Sequence, residues 1–171
     1  MAGPDPDHEA DVPPVAAETL ARVAAGGWSA QLGERLEALY RELDREVEAT
    51  GAVCRARGVC CDFPNAGHVL YASSAEIAYV LDGRPGPYDS LGPLCPFWAD
   101  GLCGNRARRP LGCRTYVCDP AHRDALEGLY EKYYRRLRAL AEEAGLPWSY
   151  EPFVGALRAA AAERGRGRVE R

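Results

Sequence analysis

Lysine is almost missing from this chain: Lys132 is the only one among 21 lysines and arginines. Composition alone accounts for such a bias, so no function is drawn from it. No apolar run approaches the roughly 20 residues that a transmembrane helix needs. The opening stretch MAGPDPDHEADVPP is acidic and proline-rich, without a basic region or an apolar core. A secretory signal peptide is therefore not expected. The expected compartment is the cytoplasm, where thiols stay reduced. No two cysteines have the two-residue spacing of a zinc knuckle or a thioredoxin-like dithiol. No glycine-rich nucleotide loop follows a clear strand, no paired carboxylates stand in a cleft-like segment, and no internal repeat is present. The net charge of -4 gives no global pull toward nucleic acid or an anionic membrane surface.

What is present bounds the fold. With 171 residues, 47% apolar and 27% charged, the chain suits one domain with a core and tails. Residues 1–14 read as a flexible tail, 15–163 as a single metal-binding helical domain, and 164–171 as a second tail. A short Ala-rich helix is predicted over 15–25, ended by Gly26 and Gly27. Ser29 caps a second helix reaching about Thr50. Leu32, Leu36, Leu39, Leu43 and Val47 form its apolar stripe, read as core packing. Residues 68–72 are a strand candidate. Ser73 with Glu76 is a capping box for a helix over about 74–82. Residues 83–94 are a surface loop rich in Gly and Pro. Asp119-Pro120 starts a long helix to about Ala144, with a stripe of Leu126, Leu129, Tyr130, Tyr133, Leu137 and Leu140. Tyr133 and Tyr134 are expected to be half-buried with wet hydroxyls. A short helix near 151–163 precedes an arginine-rich end, read as solvated. The expected fold class is mainly α: a small helical scaffold with long irregular cysteine-bearing loops and at most a short strand pair.

All seven cysteines fall in two windows, 54–61 and 95–118. The spacings are C-x5-C-C, then C-x7-C-x9-C-x4-C. An odd number fits a disulfide framework poorly. Thiolates borne on loops hold iron–sulfur clusters, and a structural zinc site also takes four such ligands. Seven thiols exceed one tetrahedral site by three. Either one site has cysteines to spare, or two sites share the loops. If Cys60 and Cys61 lie on extended backbone, their side chains point to opposite sides, and both can hardly serve one small ion. Arg55, Arg57, Arg106, Arg108, Arg109 and Arg114 interleave with the cysteines, opposed closely only by Asp62 and Asp100. We read them as balancing the negative charge of metal-bound thiolates, in preference to a solvated face or a nucleic-acid patch. Arg109 and Arg114 are the candidates nearest the last cysteines, and His68 is a supporting hydrogen-bonder. His8 and His122 are not expected to function. Cys118 precedes a predicted helix start, which suits a ligand or a reactive nucleophile alike.

C-x5-C-C, followed by CPF, a GLC segment, RPLGCR and a last cysteine, is similar to the YkgJ-type cysteine-cluster family, described as a zinc- or iron-chelating domain. The resemblance covers roughly residues 54–120, and GHVLY with the flanking helices is similar to a subgroup. The family pattern has a cysteine three residues after the first, where this chain has Arg57. The resemblance implies Cys54, Cys60, Cys61, Cys95, Cys103 and Cys113 as metal ligands. Cys118 is added on local grounds, close to Cys113. We read the loop thiolates as holding an iron–sulfur cluster, as first choice, or zinc, and where thiolates fill all four metal positions the expected role is structural or electron transfer. One alternative is a protein-modifying enzyme, because flagellin lysine methylating proteins carry a similar cysteine cluster. Another is a zinc-stabilised interaction module, for nucleic acid, against which the slightly acidic net charge argues, or for an unidentified protein partner. A membrane or nucleic-acid partner is not expected.

Overall fold

The computed structural model describes residues 28–55, 58–83, 88 and 94–169, with side chains to Ala162. The expected tail 1–14 with His8, the helix over 15–25, Arg57 and most of the 83–94 loop lie outside the described residues.

Helix α1 spans Ala30–Ala49, and Ser29 caps it by accepting a hydrogen bond from the Leu32 N–H at 3.1 Å. It ends at Thr50, followed by Gly51 in the left-handed region at φ 77°. A 3-10 turn, Val59–Cys61, leads into the short α2, Phe63–Ala66. Strand β1, Tyr71–Ser73, runs directly into α3, Ser74–Gly83. A minimal hairpin follows, β2 Trp98–Ala99 with β3 Leu102–Cys103. A 3-10 turn at Arg106–Arg108 precedes α4, Leu111–Thr115. A further 3-10 turn at Pro120–His122 leads into α5, Arg123–Glu143. Strand β4, Tyr150–Pro152, pairs antiparallel with β1, and α6 runs Phe153–Val169. The architecture is mainly α with two small antiparallel strand pairs. Among the described residues no helix is long and apolar enough to cross a membrane.

Two cores share α3. Leu32, Leu36, Leu39 and Leu43 of α1 bury against Tyr133, Leu137 and Leu140 of α5. Burying each such leucine contributes roughly 1.5–3 kcal/mol, several times a surface ion pair. Ala75, Ala78 and Tyr79 present one side of α3 to this core. Ile77, Val80 and Leu81 present the other side to Phe153, Ala156 and Leu157 of α6, together with Cys61 and Cys95. Helix α3 is therefore buried all round, as a central helix must be. Tyr40 joins the α1 stripe, while Val47 is only partly buried.

Three expectations need correction. The α5 helix proper begins at Arg123, one 3-10 turn later than Asp119-Pro120 implies, although Asp119 does cap that turn through the Ala121 N–H at 3.0 Å. Tyr133 is wholly buried, and its hydroxyl donates to Glu46 at 2.7 Å, not to water. The last helix starts later and extends further than 151–163. Tyr150–Pro152 are taken by β1, and Gly165 and Gly167 do not stop the helix. A single glycine weakens a helix by about 1 kcal/mol and does not by itself end it.

Helices α1 and α5 run antiparallel, as their ion pairs show: Arg35 with Glu143, Glu42 with Arg136, Glu46 with Lys132. Hydrogen bonds from Arg136 hold the Glu42 carboxyl below its usual value, and bonds from Lys132 and then Tyr133 do the same for Glu46. A depressed folded value stabilises the fold above the unfolded pKa and loses that contribution as pH falls through the folded one. At low salt we expect the thermal midpoint to drop below pH about 4. The double variant Glu42→Gln, Glu46→Gln should drop less steeply. Equal slopes for the two proteins would assign the acid response to other groups.

Candidate metal centre

The two cysteine windows meet. All seven cysteines line one cavity of about 420 Å³, and all seven are present as thiols. Cys54 follows the end of α1, and Cys60 and Cys61 sit on the first 3-10 turn. Cys95 stands before the β2–β3 hairpin, and its N–H donates to the Cys61 carbonyl at 2.9 Å. Cys103 lies on β3, Cys113 on α4, and Cys118 just before the turn at Pro120–His122.

Backbone geometry explains the convergence. The hairpin turns through Asp100 and Gly101 at φ 51° and 77°, the pairing of positive angles that a two-residue hairpin loop demands. This seats Cys103 opposite Trp98. The first window folds onto this hairpin at Gly58, which has φ 69°. A Cβ there would lie 2.5 Å from Trp98 Nε1 and overlap the Gly101 carbonyl. Only glycine lets the two windows approach this closely. Gly58→Ala is expected to cost about 2 kcal/mol, from a left-handed non-glycine residue plus a backbone clash. Urea unfolding with an unchanged slope would register it as a lower midpoint. A midpoint equal to that of the native chain would show that the windows can part without loss.

Cys60 and Cys61 do not lie on extended backbone. A 3-10 turn separates successive side chains by about 120°, so both line the same cavity, with Cys61 buried and Cys60 partly exposed. Burial raises the thiol pKa of Cys60 and raises those of Cys61 and Cys113 strongly. Cys95 is pushed up to about 11, again chiefly by burial. These four thiols hold their protons at neutral pH in the metal-free chain. That argues against a standing thiolate nucleophile among them. Cys118 is exposed, and the 3-10 turn after it is too short to act as a helix N-terminus.

The five arginines of these windows among the described residues divide. Arg55, Arg106 and Arg109 line the cavity. Arg109 donates to the Arg106 and Cys113 carbonyls at 3.3 and 3.4 Å, and its charge opposes the rise in the Cys113 pKa. Arg114 is buried and faces α1. It donates to Asp44 at 2.6 Å and to the carbonyls of Arg109 and Ala107, and it lies 4.2 Å over the Tyr40 ring. Arg108 turns to α3, donating to Asp82 and to the Tyr79 carbonyl. Arg114 therefore holds the loop in place and does not face the thiols. Asp62 caps α2 through the Asn65 N–H, and only Asp119 supplies a carboxylate to the cavity wall among the described residues.

Both histidines stand in clefts lined by cysteines, His68 in one that Cys60, Cys113 and Cys118 also line and His122 in the cavity that all seven share. His68 stacks on Tyr116 at 5.6 Å and meets the edge of Phe63 at 5.4 Å, in an adjoining cleft. His122 lines the cysteine cavity. Its place follows from Cys118-Asp119-Pro120, because one 3-10 turn after the last cysteine brings residue 122 back to the same wall.

The chain also contains a hub that the sequence pattern does not reveal. Glu76 is 1% exposed. Its Oε2 accepts from the Ser73 N–H and hydroxyl, both at 2.8 Å. Its Oε1 accepts from the Tyr40 hydroxyl at 2.7 Å and the Leu111 N–H at 2.5 Å. The capping-box glutamate thus also fixes the first residue of α4, the helix that carries Cys113.

The donor set suits a thiophilic ion or a cluster in kind and number. It is not preassembled: among the described residues no three Cys, His, Asp or Glu side chains already stand around one point as a metal site. No family model matches the chain, and neither a curated protein nor a solved structure matches it.

Proposed function

We propose that this chain holds a thiolate-bound metal centre in the cysteine cavity, an iron–sulfur cluster as first choice and zinc as the alternative, with a structural or electron-transfer role. One observation carries the reading. Seven thiols from windows far apart in sequence line a single cavity with three guanidiniums and one carboxylate. The motif resemblance to the YkgJ-type family points the same way. An ordinary buried core offers no reason to gather every cysteine of a chain beside arginines. Metal thiolates do, because their negative charge is offset by guanidinium donors. Arg109 and Arg106 are placed for that, and the Arg109–Cys113 carbonyl bond ties the donor to the ligand-bearing helix.

A bound cluster would supply one-electron chemistry; zinc would supply a clamp between the windows. The chain's own contribution is to bring the thiols together, to exclude water from Cys61 and Cys95, and to place positive charge at the rim. Ligands bind deprotonated, so loading releases protons and is coupled to folding. We infer the cytoplasm as the compartment, since such thiols persist where glutathione keeps them reduced. The net charge of -4 gives no support to a nucleic-acid partner.

The test is metal and acid-labile sulfide content after purification without oxygen and without a metal-binding tag. Iron with matching sulfide supports the cluster. Zinc alone supports the structural clamp. Folded protein without metal overturns the proposal.

A further inference from the structure

We propose that the cleft beside the cysteine cavity binds a small organic cation of the quaternary ammonium class, held over tyrosine rings. The proposal does not rest on the metal-centre reading. The cleft measures about 800 Å³, within the roughly 300–1,000 Å³ of small-molecule sites. Six rings line it: Phe63, His68, Tyr71, Tyr116, Tyr130 and Tyr150.

The chain builds these walls from two ring stacks. Tyr71 and Tyr150 are diagonal neighbours on one side of the β1–β4 pair, and their rings stack at 5.7 Å. The Tyr130 and Tyr150 hydroxyls share a hydrogen bond that ties β4 to α5. On the segment before β1, His68 stacks on Tyr116, the residue that closes α4. Tyr71 and Tyr116 are nonetheless 43% and 49% exposed, and Val69 beside them on the cleft is 51% exposed. Half of the exposed large apolar side chains among the described residues therefore stand at this one concavity. Scattered apolar side chains on a surface carry no meaning, but a gathered set marks a binding site.

Charge selects the occupant. Asp119 and Glu127 put two carboxylates on the cleft against one guanidinium, that of Arg123, which disfavours an anion. Arg135 and Arg138 of α5 pair with carboxylates one turn away, whereas Glu127 is in no ion pair among the described residues. Ring faces carry negative charge and attract a cation lying over them. A primary ammonium also brings three N–H donors that need acceptors. A quaternary ammonium brings none, so rings with nearby carboxylates suffice to hold it.

The experiment titrates the full chain by calorimetry with choline and with its neutral isostere, in which carbon replaces nitrogen. The two probes match in shape and differ in charge. Choline is expected to bind saturably and at least about 10-fold more tightly than the isostere. The double variant Tyr71→Leu/Tyr116→Leu keeps the apolar bulk and should lose most of that preference. Tyr116→Phe keeps the ring and should retain it. Urea midpoints check the fold, which the loss of two half-exposed rings should leave little changed. Equal affinity for the two probes would overturn the proposal and leave a generic apolar cleft. Absence of saturable choline binding to the folded native chain would overturn it as well, and so would the full preference surviving in the double variant. Metal content is read on the same samples, so a failure here and a failure of the metal-centre reading are seen separately.

Discussion

Glu76→Gln is expected to cost about 1–3 kcal/mol, a sizeable share of the stability of a domain of this size. The side chain is buried and accepts four hydrogen bonds, two on each oxygen. All four partners are donors: the Tyr40 hydroxyl, the Ser73 N–H and hydroxyl, and the Leu111 N–H. A glutamine keeps one accepting oxygen. Its amide must face either Tyr40 and Leu111 or the two Ser73 donors, N–H against N–H or O–H. Each buried donor left without an acceptor costs about 1–3 kcal/mol. A hydroxyl can rotate away and a backbone N–H cannot, so at least one such loss is unavoidable. Tyr40→Phe removes a single donor and leaves the carboxyl otherwise served, so about 1 kcal/mol is expected for it. Urea midpoints measure both. A Glu76→Gln loss under about 1 kcal/mol would show that the hub relaxes. The same variant should also load less metal, because the Leu111 N–H starts the helix that carries Cys113.

Features set by a few neighbouring residues were legible in the sequence. The Ser29 cap, the Ser73–Glu76 box and the Asp119 cap are local chemistry, and each forms where its residues stand. The leucine stripes of α1 and α5 are periodic, and they bury as periodicity requires. Features set by distant partners were not legible. Tyr150–Pro152 become a strand only because β1 lies across from them. Tyr40 is buried only because α3 and α4 supply Glu76 and Arg114 around it. The Asp100-Gly101 hairpin had a signal, a dipeptide suited to two positive φ angles, but strands of two residues give no alternation to flank it. Among the candidate site residues, the gathering of cysteines into one place follows from their confinement to two windows. Which arginines face them does not follow. Arg108 and Arg109 are adjacent, yet one turns to Asp82 and the other to the cavity. That choice depends on where the 3-10 turn at Arg106–Arg108 ends.

Cys113→Ser is expected to abolish metal loading while leaving the metal-free fold nearly as stable as before. Two facts separate these effects. Serine differs from cysteine by one atom, the smaller oxygen for sulfur, so the packing against the second core changes little. The helix itself is anchored independently, by Leu111 to Glu76 and by Arg114 to Asp44. The metal-free thermal midpoint should therefore shift by a few degrees at most. Loading is another matter. A hydroxyl does not ionise near neutral pH and is a poor ligand for soft metals, and the Cys113 thiol interacts with those of Cys95, Cys60 and Cys61. A ligand at about 1,000 times its dissociation constant stabilises the native state by about 4 kcal/mol. The native chain should gain that much on loading, and the variant should gain none of it. Metal analysis and paired melts, loaded and chelated, measure the difference. Unchanged metal content in Cys113→Ser would remove Cys113 from the ligand set and shift the centre toward the exposed thiols. Metal loss with an equally lowered metal-free midpoint would mean that Cys113 acts through packing, and the cavity would have to be read as core.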